Sequence, residues 1–390
     1  MTLMAQNGYL FVQPLLSADD AWGGYRAEFA PGTEDATAIA QLLTGDCLNE
    51  FDQRHPWLFT AAEGLSGDAR HVWLFPAQPE AHHAPLEASL RQQQGRVGLV
   101  AAAEVKLPAT GTWDFLLIAA SHARSLPPYT LIGQASRTCI VGTAVQSQND
   151  RHWLIENGAT LTSAEYLLAQ AAEGEKADTT RVKLLRLLAL ISEDADTPAL
   201  EAIFKEEPKL SYSLLRLVNS AAVSPRSPIT SFGQAINLLG RRQLQRWLQL
   251  LVYADPNNGA HPNPLLQFAA ARGRLLELLI SHVPQASVLE NAADAAFMTG
   301  TFSLLDVLLK MSLPGILQQL PLSPAVNRAL SDHAGDLGVL LQTLKYAAEG
   351  RLEKAAGKLG ELGISPADFL QAQCHALAWA ARIHVGSQAA

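Results

Sequence analysis

The chain is poor in cysteine, in charge and in long apolar runs, and each shortage removes a class of protein. Its three cysteines, Cys47, Cys139 and Cys374, are odd in number and far apart in 390 residues. They exclude a disulfide framework or a cysteine zinc site and suit a reducing compartment, so a cytoplasmic location is expected. No uninterrupted apolar stretch reaches the roughly 18 residues of a membrane helix; Leu184–Ile191 is already broken by Arg186. No basic residue precedes Arg26, so the positive n-region of a secretory signal is lacking. A basic excess is missing too. Residues 1–165 carry 9 Lys and Arg against 17 Asp and Glu, and residues 166–390 carry 20 of each. Neither part favours phosphate-backbone binding, and no nucleic acid is expected as a partner.

What is present is a globular composition. At 48% hydrophobic and 17% charged, the chain holds enough for substantial cores, and its length suits two domains. From Tyr9 to about Val145 short apolar runs recur, at Tyr9–Val12, His71–Phe75, Arg96–Ala101, Asp114–Ile118, Tyr129–Ile132 and Cys139–Val145. Helix-like stretches such as Asp35–Leu43 and Pro85–Gln94 lie between them. Buried strands alternating with helices predict an α/β domain with a largely parallel sheet over residues 1–160. About six strands there fall short of an eight-fold barrel of roughly 250 residues, so a barrel here would be truncated.

Over residues 161–390 the pattern predicts an all-α domain. Thr162–Ser163–Ala164–Glu165 reads as a capping box opening a helix through Ala172. Thr197–Pro198 and Ser365–Pro366 each place a capping hydroxyl before a helix-starting proline. Leu184, Leu187, Leu188 and Ile191 share one helical face, and Leu214, Leu215, Leu217 and Val218 supply another. Leu337–Ala348 and Ala367–Ile383 continue the pattern, and the run from Asp255 to Gly259 punctuates it.

The segment Glu207–Leu250 is the most specific. Pro208 and Leu210 precede Leu214–Leu215–Arg216, followed by Asn219–Ser220, Ile229, Ser231, Ala235–Ile236 and Leu239–Gly240. Together with Arg272–Glu277 and Ala296–Ser303, these residues resemble the HDOD domain, a helical signalling relative of the HD-type metal phosphohydrolases. The resemblance is to the subgroup in which HDOD follows an EAL domain. Leu215, Asn219, Ser220, Gly240 and Gly300 are the family signature and are read as structural. Asn219 and Ser220 stand at a helix end, where their side chains bond leftover backbone groups; Gly240 permits a sharp turn or a close approach. The His–Asp metal pair of HD enzymes falls at Ser303–Leu304, and none of the eleven histidines is followed by aspartate. A hydroxyl and a leucine replace neither ligand. Asp332–His333 is reversed and reads as a surface helix end, and His82–His83 as a loop pair.

Gln13–Pro14 and Gly24–Tyr25 match the opening strand pair of EAL–HDOD proteins. The resemblance implies a degenerate EAL domain, a barrel that hydrolyses cyclic di-GMP in active members. Where those members carry the metal-binding glutamate, this chain has Arg26. Other expected ligands are matched by Ala101, Ala102, Leu117 and Ala119, and the closing motif by Asn157–Gly158. Trp57, Trp73 and Trp113 read as core or interface aromatics.

On these residues the expectation is a cytoplasmic, non-enzymatic signalling adaptor without metal or cofactor, working through protein–protein contacts with signalling partners. A non-hydrolysing receptor for cyclic di-GMP, with Arg26 as phosphate ligand, is the alternative. Residual hydrolysis through Glu28 or Glu104 ranks third. A homodimer is admitted and a membrane segment is not. Arg241, Arg242, Arg246 and Trp247, on one helix after Gly240, form the candidate interaction patch.

Overall fold

The computed structural model describes residues 8–33, 35–63, 70–168, 189, 208–219, 228–230, 232–253, 263–284 and 291–383. It divides into two compact units, Met1–Ala169 and Gln170–Ala390.

The first unit is a closed eight-stranded barrel in sequential order. Its strands are β1 (Leu10–Ser17), β2 (Trp22–Phe29), β3 (Trp57–Thr60), β4 (His71–Pro76), β5 (Arg96–Val100), β6 (Phe115–Ala119), β7 (Cys139–Thr143) and β8 (Ala159–Thr162). β1 runs antiparallel to both its neighbours, β2 and β8, and every other pairing is parallel. Strands covered on both faces need apolar residues throughout, which is why β6 reads Phe-Leu-Leu-Ile-Ala. The inward row is Leu15, Leu58, Val72, Leu74, Phe115, Leu117, Val141 and Leu161. The opposite face of β6 and β7 packs Leu116, Ile118 and Ile140 against Ala123, Leu131 and Leu154 of the surrounding helices.

Those helices are α1 (Ala36–Thr44), α2 (His83–Gln92), α3 (Ala120–Ser125), α4 (Thr130–Ala135), α5 (Gln148–Glu156) and α6 (Glu165–Leu168). The barrel is complete in strands and abbreviated outside them: the β5–β6 connection, residues 101–114, contains no helix. Three of its strands, β2, β3 and β8, escape the run-by-run reading of apolar segments. β3 and β8 are four residues each, and β2 is interrupted by Gly24 and Arg26. The β8 strand also means that a boundary at residue 160 cuts through the barrel's closing element. Tyr129–Ile132 is not a strand: Tyr129 adopts φ 66° ahead of α4, and Ile132 lies inside that helix. A short apolar run carries no periodicity that separates the two states.

A buckle of aromatic rings on β2–β4 covers the outer face of that side of the barrel. Tyr25 stacks on Trp57 at 4.7 Å and Trp57 on Phe59 at 6.1 Å, with Phe51 edge-on to both Tyr25 and Trp57. Trp57 and Trp73 are fully buried. The closure between β1 and β8 is only Leu16–Thr162 and Ser17–Leu161. Arg151 of α5 braces it, pairing with Asp20 at 2.8 Å and donating to the Ser17 carbonyl at 2.8 Å.

The described residues of the second unit form helices and connecting turns: α7 (Pro208–Val218), α8 (Phe232–Leu251), α9 (Pro264–Ile280), α10 (Ala292–Phe302), α11 (Leu305–Leu309), α12 (Leu313–Leu317), α13 (Pro324–Asp332), α14 (Gly335–Ala348), α15 (Leu352–Glu361) and α16 (Pro366–Ala381). Ser365 caps α16 by accepting from the Asp368 N–H, with Pro366 in the first turn, as its sequence predicts. Thr197–Pro198, the Leu184–Ile191 face, Ser220 and the Asp255–Gly259 punctuation lie outside the described residues. The Thr162 capping box is not formed: Thr162 ends β8, and Ser163 hydrogen-bonds the Glu165 carboxylate instead. Gly240 sits at φ 73°, ψ 158° and breaks α8 into two segments. That region is essentially closed to side chains, and no atom crowds the missing Cβ. Gly240 is a turn, not a close approach.

The centre of this unit is the α9–α10 pair, where Gly273 and Gly300 face each other. A Cβ on Gly300 would stand 2.6 Å from the Gly273 Cα. One stretch among the described residues, Ala292–Leu309, is long and apolar enough to cross a bilayer, with mean hydropathy 1.4. It is two helices, α10 and α11, and 56% of it is buried inside the unit.

Candidate functional site

In the barrel, side chains alternate in and out along each strand. Arg26 pairs in register with Leu58 and with Gln13, so it shares the inward face, and Glu28 follows two residues on. Both sit toward the carboxyl ends of the parallel strands, where barrel sites are built. The Arg26 guanidinium forms an ion pair with the Glu28 carboxylate; their side chains are 22% and 29% exposed. The Arg26 Nε is buried and has no hydrogen-bond partner. Burial pushes the Glu28 carboxyl up, Arg26 pulls it down and Glu165 pushes it up again, leaving it above the usual range. Glu165 itself is anchored by the Ser163 hydroxyl and by the Val145 N–H at 3.3 Å.

The mouth therefore collects Arg26, Glu28, Ser163 and Glu165 from β2 and from the turn after β8. Sequence reasoning finds the first two and reads the other two as a helix cap. Barrel closure alone makes residues 28 and 165 neighbours. The positions matched to lost ligands carry no oxygen donor on their side chains: Ala101 and Ala102 follow β5, while Leu117 and Ala119 lie on β6. Glu104 is exposed in the following loop.

Hydrolysis of a phosphodiester with two metals needs several clustered carboxylates. The described residues hold no group of three or more His, Cys, Asp or Glu placed to bind a metal ion. A divalent cation beside Arg26 would be repelled by about 4 kcal/mol for each unit of its charge at about 4 Å and an effective dielectric near 20. The residues present do not fit a divalent metal at this mouth.

In the helical unit, Ser303 donates to the Gly300 carbonyl at 2.7 Å and accepts from Arg272 at 3.3 Å, while Leu304 is buried. Burial lowers the Arg272 pKa to about 10, against the pull of Tyr253 and Asp306. Burial pushes the Asp306 carboxyl up. Here too a guanidinium lies beside the position matched to a metal pair. Asn219 ties a helix end to the returning chain: its amide donates to the Leu215 and Ile229 carbonyls and accepts from the Ile229 N–H, each at 2.7 Å. Leu215 is half-buried in α7.

Of the patch on α8, Arg246 and Trp247 are packed, and Arg242 is paired but exposed. Arg246 bonds Glu277 at 2.6 Å and Asp294 at 2.9 Å and lies over the Phe297 ring. Arg242 also pairs with Asp294. Trp247 is 4% exposed and packs on Trp379. Arg241 lies in α8. Carboxylates from α9 and α10 meet the i, i+4 arginines Arg242 and Arg246. His83 begins α2 with His82 as its cap, where a loop was expected; His333 ends α13 with φ 54°.

The HDOD domain family matches residues 179–263. The protein "Cyclic di-GMP phosphodiesterase CdgJ" of Vibrio cholerae serotype O1 is 26% identical over 255 residues, 65% of this chain and 58% of that protein. That stretch is longer than either unit and so spans both. The uncharacterized protein YuxH of Bacillus subtilis strain 168 is 33% identical over 139 residues, 35% of this chain and 32% of YuxH. The chain thus covers less than two thirds of either relative's length. The crystal structure of Bacillus subtilis YkuI, a protein with an EAL domain, is 14% identical, with a TM-score of 0.31 over 60% of this chain and 73% of YkuI. The expectation of a non-enzyme is overturned by the relationship to CdgJ, which is itself a phosphodiesterase. With an HDOD match in the second unit, behind a closed barrel whose first strand is reversed, and a relative aligned across both units, the chain resembles an EAL–HDOD tandem.

Proposed function

We propose that the protein acts in cyclic di-GMP signalling in the bacterial cytoplasm. Its barrel engages the dinucleotide at the mouth formed by Arg26, Glu28, Ser163 and Glu165, and its helical unit passes the signal on by protein–protein contact. The observation that carries this reading is the alignment with CdgJ, whose name records action on cyclic di-GMP and which spans both units of this chain. The mouth supports it chemically, because a guanidinium with an unused donor suits a phosphodiester anion.

The experiment is a calorimetric titration of the full-length protein with cyclic di-GMP. Parallel incubations with Mg²⁺ or Mn²⁺ are analysed by chromatography for the ring-opened dinucleotide. Saturable heat, with or without product, is expected. Neither heat nor product under any of these conditions would remove the reading.

A further inference from the structure

We infer that the mouth takes the phosphodiester of its ligand directly on the Arg26 guanidinium, with no divalent cation between them. The inference rests on the reading of this mouth as the dinucleotide site and adds how the ligand's charge is met there. Guanidinium presents five N–H donors in a fixed fork. In Arg26 one branch is held by Glu28, while the buried Nε has no acceptor. A buried donor without a partner is costly, and a phosphate oxygen would satisfy it. The inward side chains of β3, β6 and β8, Leu58, Leu117 and Leu161, are apolar and offer no competing acceptor.

The acidic groups here are committed elsewhere. Glu28 pairs with Arg26, and Glu165 is held by Ser163 and the Val145 N–H. Neither is backed by further carboxylates, His or Cys in a metal-binding arrangement among the described residues. Arg26 thus occupies by side chain the electrostatic role that a bound cation fills in a metal-dependent site. Glu28 orients the fork and also competes with the ligand for it.

The test is equilibrium binding of cyclic di-GMP to the full-length protein in EDTA, in Mg²⁺ and in Ca²⁺, together with titration of Mn²⁺ alone followed by its paramagnetic signal. Wild-type affinity should agree within about twofold across the three media, with Mn²⁺ remaining free. Arg26→Ala should weaken binding at least tenfold. Arg26→Lys should also weaken it, since an ammonium lacks the fork. Glu28→Gln should tighten it severalfold by removing the competing charge. Melting temperatures report whether each variant is folded. If Arg26→Ala does not fold, Glu28→Gln and the EDTA comparison still decide the matter. Binding that disappears in EDTA and returns with Mg²⁺ or Ca²⁺ would overturn this inference while leaving the cyclic di-GMP reading intact. Unchanged binding by Arg26→Ala would do the same. No binding by the wild type in any medium would remove both.

Discussion

Gly300 offers a sharp test of the helical core, because its effect is opposed to that of another glycine in the same unit. An alanine Cβ at position 300 would lie 2.5 Å from the Arg272 carbonyl oxygen and 2.6 Å from both the Arg272 carbonyl carbon and the Gly273 Cα. These distances fall about 1 Å short of ordinary contact. The obstructing atoms are backbone of α9, so relief requires the two helices to part, and overpacking of this kind costs about 3 kcal/mol. Alanine recovers about 1 kcal/mol of helix propensity, which leaves a net loss of about 2 kcal/mol. In a unit of this size that lowers the melting temperature by about 4–8 °C. Gly357 in α15 is exposed and has no atom within 4 Å of its missing Cβ. Gly357→Ala keeps the propensity gain alone and should raise the same transition by about 2–4 °C. Scanning calorimetry of the full-length variants measures both, with hydrogen exchange across α10 and β1 assigning each transition to its unit. If Gly300→Ala is as stable as Gly357→Ala, the backbone-to-backbone approach of α9 and α10 is wrong.

Asn219→Ala removes three hydrogen bonds and strands the buried Ile229 backbone, so a loss of about 2–3 kcal/mol is expected. Asn219→Asp can still accept from the Ile229 N–H, so exchange of that amide should accelerate in the alanine variant and stay slow in the aspartate one. Arg246→Met should cost about 2 kcal/mol in denaturant melts, below the figure for a fully stripped buried pair, because Arg274 still holds Glu277 and Arg242 still holds Asp294. An unchanged midpoint would count against the network. Burial pushes the Asp294 carboxyl up, but hydrogen bonds from Arg242 and Arg246 outweigh it and hold it below the usual range. Its contribution is therefore present above a pH of about 4 and is lost as pH falls through the depressed folded-state value. Asp294→Asn should lack that acid step in a melting series; retention of the step would assign it to another group.

The alternation of strands and helices in the first unit and the helical second unit were legible in the residues themselves. Periodicity reports which face of an element is buried. Asn219 shows this at the level of one side chain, since a polar residue closing an apolar helix has few other uses. Strand count was not legible. Four-residue strands such as Trp57–Thr60 carry too few alternations, and the outward aromatics that cover them resemble any buried core. At the α8 arginines the face of the helix follows from spacing, but what meets that face does not. Only tertiary packing brought Glu277 and Asp294 to Arg246, and only barrel closure brought Glu165 beside Glu28, with residues 28 and 165 at opposite ends of the unit. The sequence by itself determined which charges the protein has; the tertiary structure decided which of them neutralise one another, because pairing needs proximity that only packing supplies.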